Sequence, residues 1–176
     1  MNFRFSVLGL LLGSMAFASN VKVGTVDINK ALRETKRGLS ATASLEKEQA
    51  DKEKSLKAEK DKLDKLVADF QKKSAVMSEQ ARNKEGMELQ KKVAGFQDQY
   101  QKINMDLKAR EFELKKPIID GLRSEVQSLA KDNKVEMVFE SNSTGPQGVD
   151  FPVLLYAQDR IDLTNELIKV YDKKNP

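Results

Sequence analysis

The sequence contains no cysteine, no histidine and no tryptophan. Without thiols there is no disulfide framework, so noncovalent packing or oligomerisation must hold the fold. Without imidazole or thiolate, Cys/His metal sites and every triad built on those groups are excluded. No GxxxxGK[ST] loop occurs, so no nucleotide site is visible. Asp and Glu remain as potential acids and bases, but they are interspersed with lysines at helical surface spacing, the pattern of a solvated face. The chain therefore reads as non-enzymatic, with no cofactor and no metal. After Met15 no apolar run is long enough to span a bilayer.

What is present is charge: a third of the 176 residues, with 31 basic against 27 acidic side chains. The basic excess is modest. Such composition suits solvated helices with narrow apolar seams better than a large core, and predicts one small domain with a long helical extension. The first residues read differently. Arg4 gives a basic start, Phe5 to Met15 is apolar, and Ala16-Phe17-Ala18 offers small residues where a signal peptidase reads. Residues 1–18 are thus expected to be a secretory signal of bacterial form, cleaved after Ala18. The mature chain is expected to be soluble and exported.

The longest patterned stretch runs from Ser78 to Asn133. Leu89, Val93, Phe96, Tyr100, Ile103, Leu107, Arg110 and Leu114 fall on one 3-4 stripe broken only by Arg110. Past Leu114 the step changes, with Pro117 at the change, and Ile118, Leu122, Val126 and Leu129 follow at mostly four-residue spacing. That spacing predicts a helix packed along another helix, roughly 80 Å long at ~1.5 Å per residue, with a bend or loosened supercoil at Pro117. Its partner is a charged helix from about Ser40 to Lys73, whose seam reads Leu45, Gln49, Lys52, Leu56, Glu59, Leu63, Leu66, Phe70 and Lys73. The short connection Ser74–Met77, followed by Ser78 as a cap, makes the two helices an antiparallel hairpin with its tip near residues 74–78.

Flanking segments read as strands: Asn20–Ile28, Val135–Glu140 and Val153–Ala157, separated by a loop from Asn142 to Gly148. Asn29 is placed to cap a brief helix that Gly38 ends, and Asp162 to cap a final helix from Leu163 to Tyr171. The fold class is α+β. A body built from residues 19–39 and 134–176 joins both chain ends in one small sheet, and a helical arm, residues 40–133, is inserted between them. So small a body is marginal alone, and its apolar strand edges invite pairing. Self-association into a closed ring is the economical solution, through Val23, Val26, Ile28, Val138 and Leu155.

Two surface features carry functional expectations. Met105, Phe112 and Ile119 recur every seven residues on the side of the second helix opposite its seam, where the partner helix cannot cover them. They are available to the body, to another subunit or to apolar ligands. Around the tip, Lys72, Lys73, Arg82, Lys84, Lys91 and Lys92 outnumber Glu79, Glu85 and Glu88, while Gly86 and Gly95 loosen the helix. Nucleic acid is a poor partner for this tip, because no aromatic stacking platform accompanies the lysines. Weak attachment to anionic membrane lipids is compatible with it.

The order of signal, strand, hairpin, strands and helix resembles the Skp (OmpH-like) family of periplasmic chaperones over essentially the whole mature chain. The residues that carry the resemblance are Val26–Leu32 with Gly38–Ala41, Met77–Arg82, and Glu136–Glu140 with Leu155–Ala157 and Asp162–Ile168. Departures are the Gly-Pro loop of residues 142–151 and Pro117. The resemblance implies a trimer with a central β-barrel and three helical arms around a cavity. It also implies an ATP-independent holdase for unfolded outer-membrane β-barrel proteins. On that reading Met105, Phe112 and Ile119 face the cavity, while Phe70, Met77 and the tip lysines meet clients at the rim. The competing reading is a structural coiled-coil spacer or adaptor of the cell envelope, which needs rods and oligomers but no client.

Overall fold

The computed structural model describes residues 21–144 and 150–176, so the expected signal and its cleavage point lie outside the described residues. In chain order it holds β1 (Val23–Val26), α1 (Ile28–Glu34), α2 (Lys36–Ser74), α3 (Glu79–Asp132), β2 (Met137–Glu140), β3 (Asn142–Thr144) and β4 (Asp150–Pro152). A 3-10 turn (Asp159–Ile161) and α4 (Thr164–Lys174) complete it. The chain is mostly helical, with a long helical hairpin set on a small body that contains a two-stranded sheet.

Local capping explains the helix starts and corrects two of the expected ones. α1 is capped by Asp27, not Asn29. Asp27 has extended backbone, and its carboxylate accepts the Lys30 N–H at 2.7 Å. Thr35, not Gly38, separates α1 from the next helix. Its N–H closes α1 on the Ala31 carbonyl, and its hydroxyl accepts the Gly38 N–H to open α2 at Lys36, earlier than Ser40. Gly38 lies inside the first turn of α2. There the two helices approach so closely that a Cβ would stand 1.6 Å from the Leu32 carbonyl oxygen. Ser78 caps α3 as expected, accepting the Ala81 N–H at 3.3 Å.

The arm is the antiparallel pair α2 and α3. On α2 the covered positions are Leu45, Glu48, Lys52, Leu56, Glu59, Leu63, Val67, Phe70 and Ser74. The steps of 3, 4 and 4 repeat every eleven residues, or 3.67 per turn, so this seam runs almost straight instead of wrapping to the left. Gln49, Leu66 and Lys73, expected on this seam, all face solvent. Tyr100 of α3 is likewise exposed, and Gln99 takes the covered place. Arg110, the apparent break in the α3 stripe, reaches across to Glu48 of α2 at 3.7 Å and to Glu113 at 3.3 Å. α3 stays one helix through Pro117.

At the base of the arm a core forms from Val26, Ile28, Ala31, Ala41, Ile118, Leu122, Leu129, Leu167 and Tyr171. Gly121 is required here, because a Cβ would meet the Tyr171 ring at 2.9 Å. β1 and β2 pair in parallel, Val23 opposite Met137 and Val26 opposite Glu140. β3 and β4 form a separate antiparallel pair inside the segment expected to be loop. The body therefore has two small sheets, not one. Val153–Ala157, expected as a strand, is irregular. Pairing stops where the Ser141 carbonyl accepts both Val153 and Leu154 N–H groups, and Leu155 is left 96% exposed. Asp162 accepts the Thr164 N–H at 2.9 Å, while the cap position of α4 itself is Leu163.

Two glycine substitutions should separate packing from propensity. Gly38→Ala is expected to abolish cooperative thermal unfolding followed by circular dichroism, since backbone cannot yield to the added methyl. Gly95, whose added Cβ would meet nothing within 4 Å, should gain about 0.5–1 kcal/mol on replacement by Ala. Equal responses at the two positions would contradict the packing described.

Candidate functional site

The outward face of α3 carries the residues singled out by the seven-residue spacing. Met105 and Phe112 are each 64% exposed, whereas Ile119 is half-buried against the core cluster. Phe112 and Ile119 line a shallow groove of about 490 Å³ with Lys108, Glu111, Lys115, Lys116, Asp120 and Arg123. Lys115 pairs with Glu111 and Lys116 with Asp120 along the helix. These pairs hold the long side chains beside the apolar stripe without covering it. Lys108 has no ion-pair partner among the described residues. Met105 lies outside the groove, two helical turns toward the tip on the same line. The arrangement offers an apolar strip with a cationic margin, able to take up amphipathic or acidic chain through many weak contacts.

Phe70 and Met77 are placed elsewhere. Phe70 is half-buried in the seam near the tip, lining one hollow with Val67, Gly86, Leu89 and Val93 and another with Leu66 and Glu85. Its ring stands 3.5 Å from where a Cβ of Gly86 would be. Met77 is half-buried in the turn itself. Both are separated from Met105 by much of the arm. Lys72, Lys73, Arg82, Lys84, Lys91 and Lys92 are all exposed, and none is ion-paired among the described residues. Val76 (88% exposed) and Met87 (59%) add apolar surface to this basic end. Val76 escaped sequence reasoning because a lone apolar residue in a turn has no periodicity to mark it.

The five residues expected to build the assembly surface divide. Val26 and Ile28 are buried in the chain's own core, and Val23 and Val138 are half-buried. Leu155 alone is fully on the surface, beside Val153 (58% exposed) and Tyr156 (80%). Met137 and Phe139 also face outward from β2 (47% and 44%). Alternation in the short strand Met137–Glu140 could have found them.

Beneath this face, burial pushes the Glu140 carboxyl above the usual carboxylate range; the Arg123 charge opposes the rise and Asp27 reinforces it. Asp27 is held by its own bonds, its second carboxylate oxygen accepting the Asn142 amide at 2.6 Å. Among the described residues no group of three His, Cys, Asp or Glu side chains could hold a metal, and no helix is long and apolar enough to cross a membrane.

The geometry defines an antiparallel helical arm on a small strand-and-helix body, with an uncovered apolar strip along the arm. The pattern of the OmpH-like outer membrane protein family matches residues 22–171, and the chain belongs to that family. An uncharacterized protein of Aquifex aeolicus (strain VF5) is 29% identical over 170 residues, covering 97% of this chain and 96% of its own. The fold is also that of a crystal structure from Caulobacter crescentus CB15, an OmpH-like protein proposed as an outer membrane chaperone. The TM-score is 0.72 at 16% identity, over 99% of this chain and 92% of that one.

The Glu140 environment has a measurable consequence. Because its folded-state pKa lies above the unfolded value, its charge costs stability at neutral pH. That cost is lost as pH falls into and below the ordinary carboxylate range, ~4.3. Glu140→Gln should therefore raise the unfolding midpoint at pH 7, and the gap from the parent should close on acidification. A gap independent of pH would assign the effect to something other than titration.

Proposed function

We propose that this protein is an ATP-independent periplasmic holdase that keeps unfolded outer-membrane β-barrel proteins from aggregating in transit. The observation that carries the reading is the exposed Met105–Phe112 strip with its lysine margin, on an arm whose own partner helix packs against the other side. Membership of the OmpH-like family and the fold shared with the Caulobacter protein support it. The signal-like residues 1–18 fit export, with the mature chain beginning after Ala18. A structural spacer would be better served by a filled apolar seam than by one containing Glu48, Lys52 and Glu59.

On this reading residues 19–39 and 134–176 form the assembly body, and residues 40–133 the arm. Three copies associate through the apolar surface around Leu155, Tyr156, Met137 and Phe139, enclosing a cavity between the arms. Met105, Phe112 and the exposed edge of Ile119 face that cavity. Phe70, Met77 and the basic tip receive clients at its rim, where weak contact with anionic lipid is also available. Many weak, adaptable contacts suit a partner with no fixed shape.

The test is dilution of a urea-denatured outer-membrane β-barrel protein into buffer containing the mature protein and no ATP, with aggregation read by light scattering. Suppression is expected, and the double variant Met105→Ser/Phe112→Ser should lose most of it while keeping its helicity and oligomeric state. Ile119 is left intact in that variant because it also packs against the core. Unsuppressed aggregation by a folded, oligomeric parent would reject the holdase reading.

Assembly has its own measurement. Sedimentation at micromolar concentration should give a trimer, and Leu155→Lys/Tyr156→Ser should shift it toward monomer. A monomeric parent would reject the cage.

A further inference from the structure

Every described methionine is at the surface of the single chain, with Met137 on the face assigned above to assembly, where association would cover it. Met87, Met105 and Met137 are exposed, Met77 is half-buried in the arm's turn, and none belongs to the core cluster. The other two, Met1 and Met15, lie in the expected signal. The chain has no cysteine, so these thioethers are its only oxidisable sulfur. In most proteins methionine oxidation harms the fold, because a polar sulfoxide is forced into packed apolar surroundings. Here the core is Val, Ile, Leu, Ala and Tyr. Oxidation can therefore change the surface without touching what holds the chain together.

We infer that Met105 is an oxidation site whose conversion to the sulfoxide turns off client holding reversibly while the fold persists; this rests on the holdase reading above. Met105 is the most exposed of the four and the nearest to Phe112, about two helical turns from it on the uncovered face of α3, whereas Met87 lies about five turns further toward the tip. A peroxide reaches it from solvent. The thioether sulfur attacks one peroxide oxygen, the O–O bond breaks, and sulfur gains an S=O bond as it is oxidised by two electrons. The other oxygen leaves as water (as hydroxide that takes up the remaining proton). The product replaces a soft, apolar contact with a strong dipole that requires water or a donor. The apolar side chains of a client that pack on the strip supply neither, so the contact they made with the thioether is lost. A thiol-dependent sulfoxide reductase reverses the step, returning the oxygen as water and oxidising two thiols to a disulfide.

The experiment treats the folded protein with hydrogen peroxide and follows three readouts: sulfoxide at each methionine by peptide mass spectrometry, fold and assembly by circular dichroism and sedimentation, and protection of a denatured β-barrel protein by light scattering. Protection is expected to fall several-fold as Met105 sulfoxide accumulates, with fold and assembly unchanged. Sulfoxide reductases for both sulfoxide epimers, with dithiothreitol, should restore it. Met105→Leu, compared with its own level before oxidant, should retain its protection, whereas Met87→Leu should lose it as the parent does. Full protection by a parent whose Met105 is stoichiometrically oxidised would overturn the inference and leave the holdase reading standing. Equal loss in Met105→Leu, or loss through dissociation or unfolding, would also overturn it. A parent that fails to protect before any oxidant is added removes the holdase reading and this inference with it.

Discussion

The hydroxyl of Thr164 is the point on which the body turns. It is fully buried, accepts the Asp27 N–H at 2.9 Å and donates to the Asp162 carboxylate. One oxygen thereby ties the end of β1 and the start of α1 to the entry of α4, more than a hundred residues later. Around it, Asp27 caps α1, the Thr25 carbonyl accepts the Leu163 N–H, and Leu167 and Tyr171 drop into the core beside Leu122 and Gly121. With so few buried apolar residues, an unsatisfied polar group at this junction would cost a large share of the stability available. The arm depends on it in turn, because α2 packs on α1, and α3 packs on both α1 and α4.

The arm follows a different economy. Its seam is narrow and partly charged, with Lys52, Glu48 and Glu59 occupying covered positions that a well-filled coiled coil would give to Leu or Ile. The Arg110–Glu48 contact is partly solvated, so it fixes register more than it adds stability. Such a pair of helices is held in place along its length without being locked. The apolar residues that would have made it tighter, Met105 and Phe112, are spent on the outer face. That distribution is costly for an isolated rod and useful for a surface that must meet chain.

Much of the architecture was legible because it rests on local chemistry. Ser78 followed by Glu79 marks a helix start in any context, and the 3-4 spacing from Leu89 to Leu114 marks a helix pair. Errors arose where a tertiary contact decided the outcome. Asn29 and Asp27 are both good caps, and the choice fell to Asp27 because its own N–H is taken by distant Thr164. Gly38 reads as a breaker but is a packing residue, which only the position of the Leu32 carbonyl reveals. An eleven-residue seam over one helix is easily read as heptads, since the two differ by a single step every few turns. Val153–Ala157 has strand composition, yet β composition describes a half-buried surface and not who buries it. For the candidate site, periodicity exposed the outer stripe but could not tell that Ile119 serves the core while Met105 and Phe112 do not.

The parallel pairing of β1 with β2 also constrains the order in which the chain can become structured. Val23 and Met137 are neighbours in space but lie at opposite ends of the hairpin's sequence. Closing so long a loop before the helices exist would sacrifice entropy with no local contacts to offset it. The hairpin, whose contacts spread outward from the turn at Met77, is the natural first structure, and it carries the two strands toward each other. A chain emitted N-terminus first must hold Val23–Val26 unpaired until the residues beyond Met137 have emerged. Its earliest strand is thus an aggregation-prone segment for the whole of that interval.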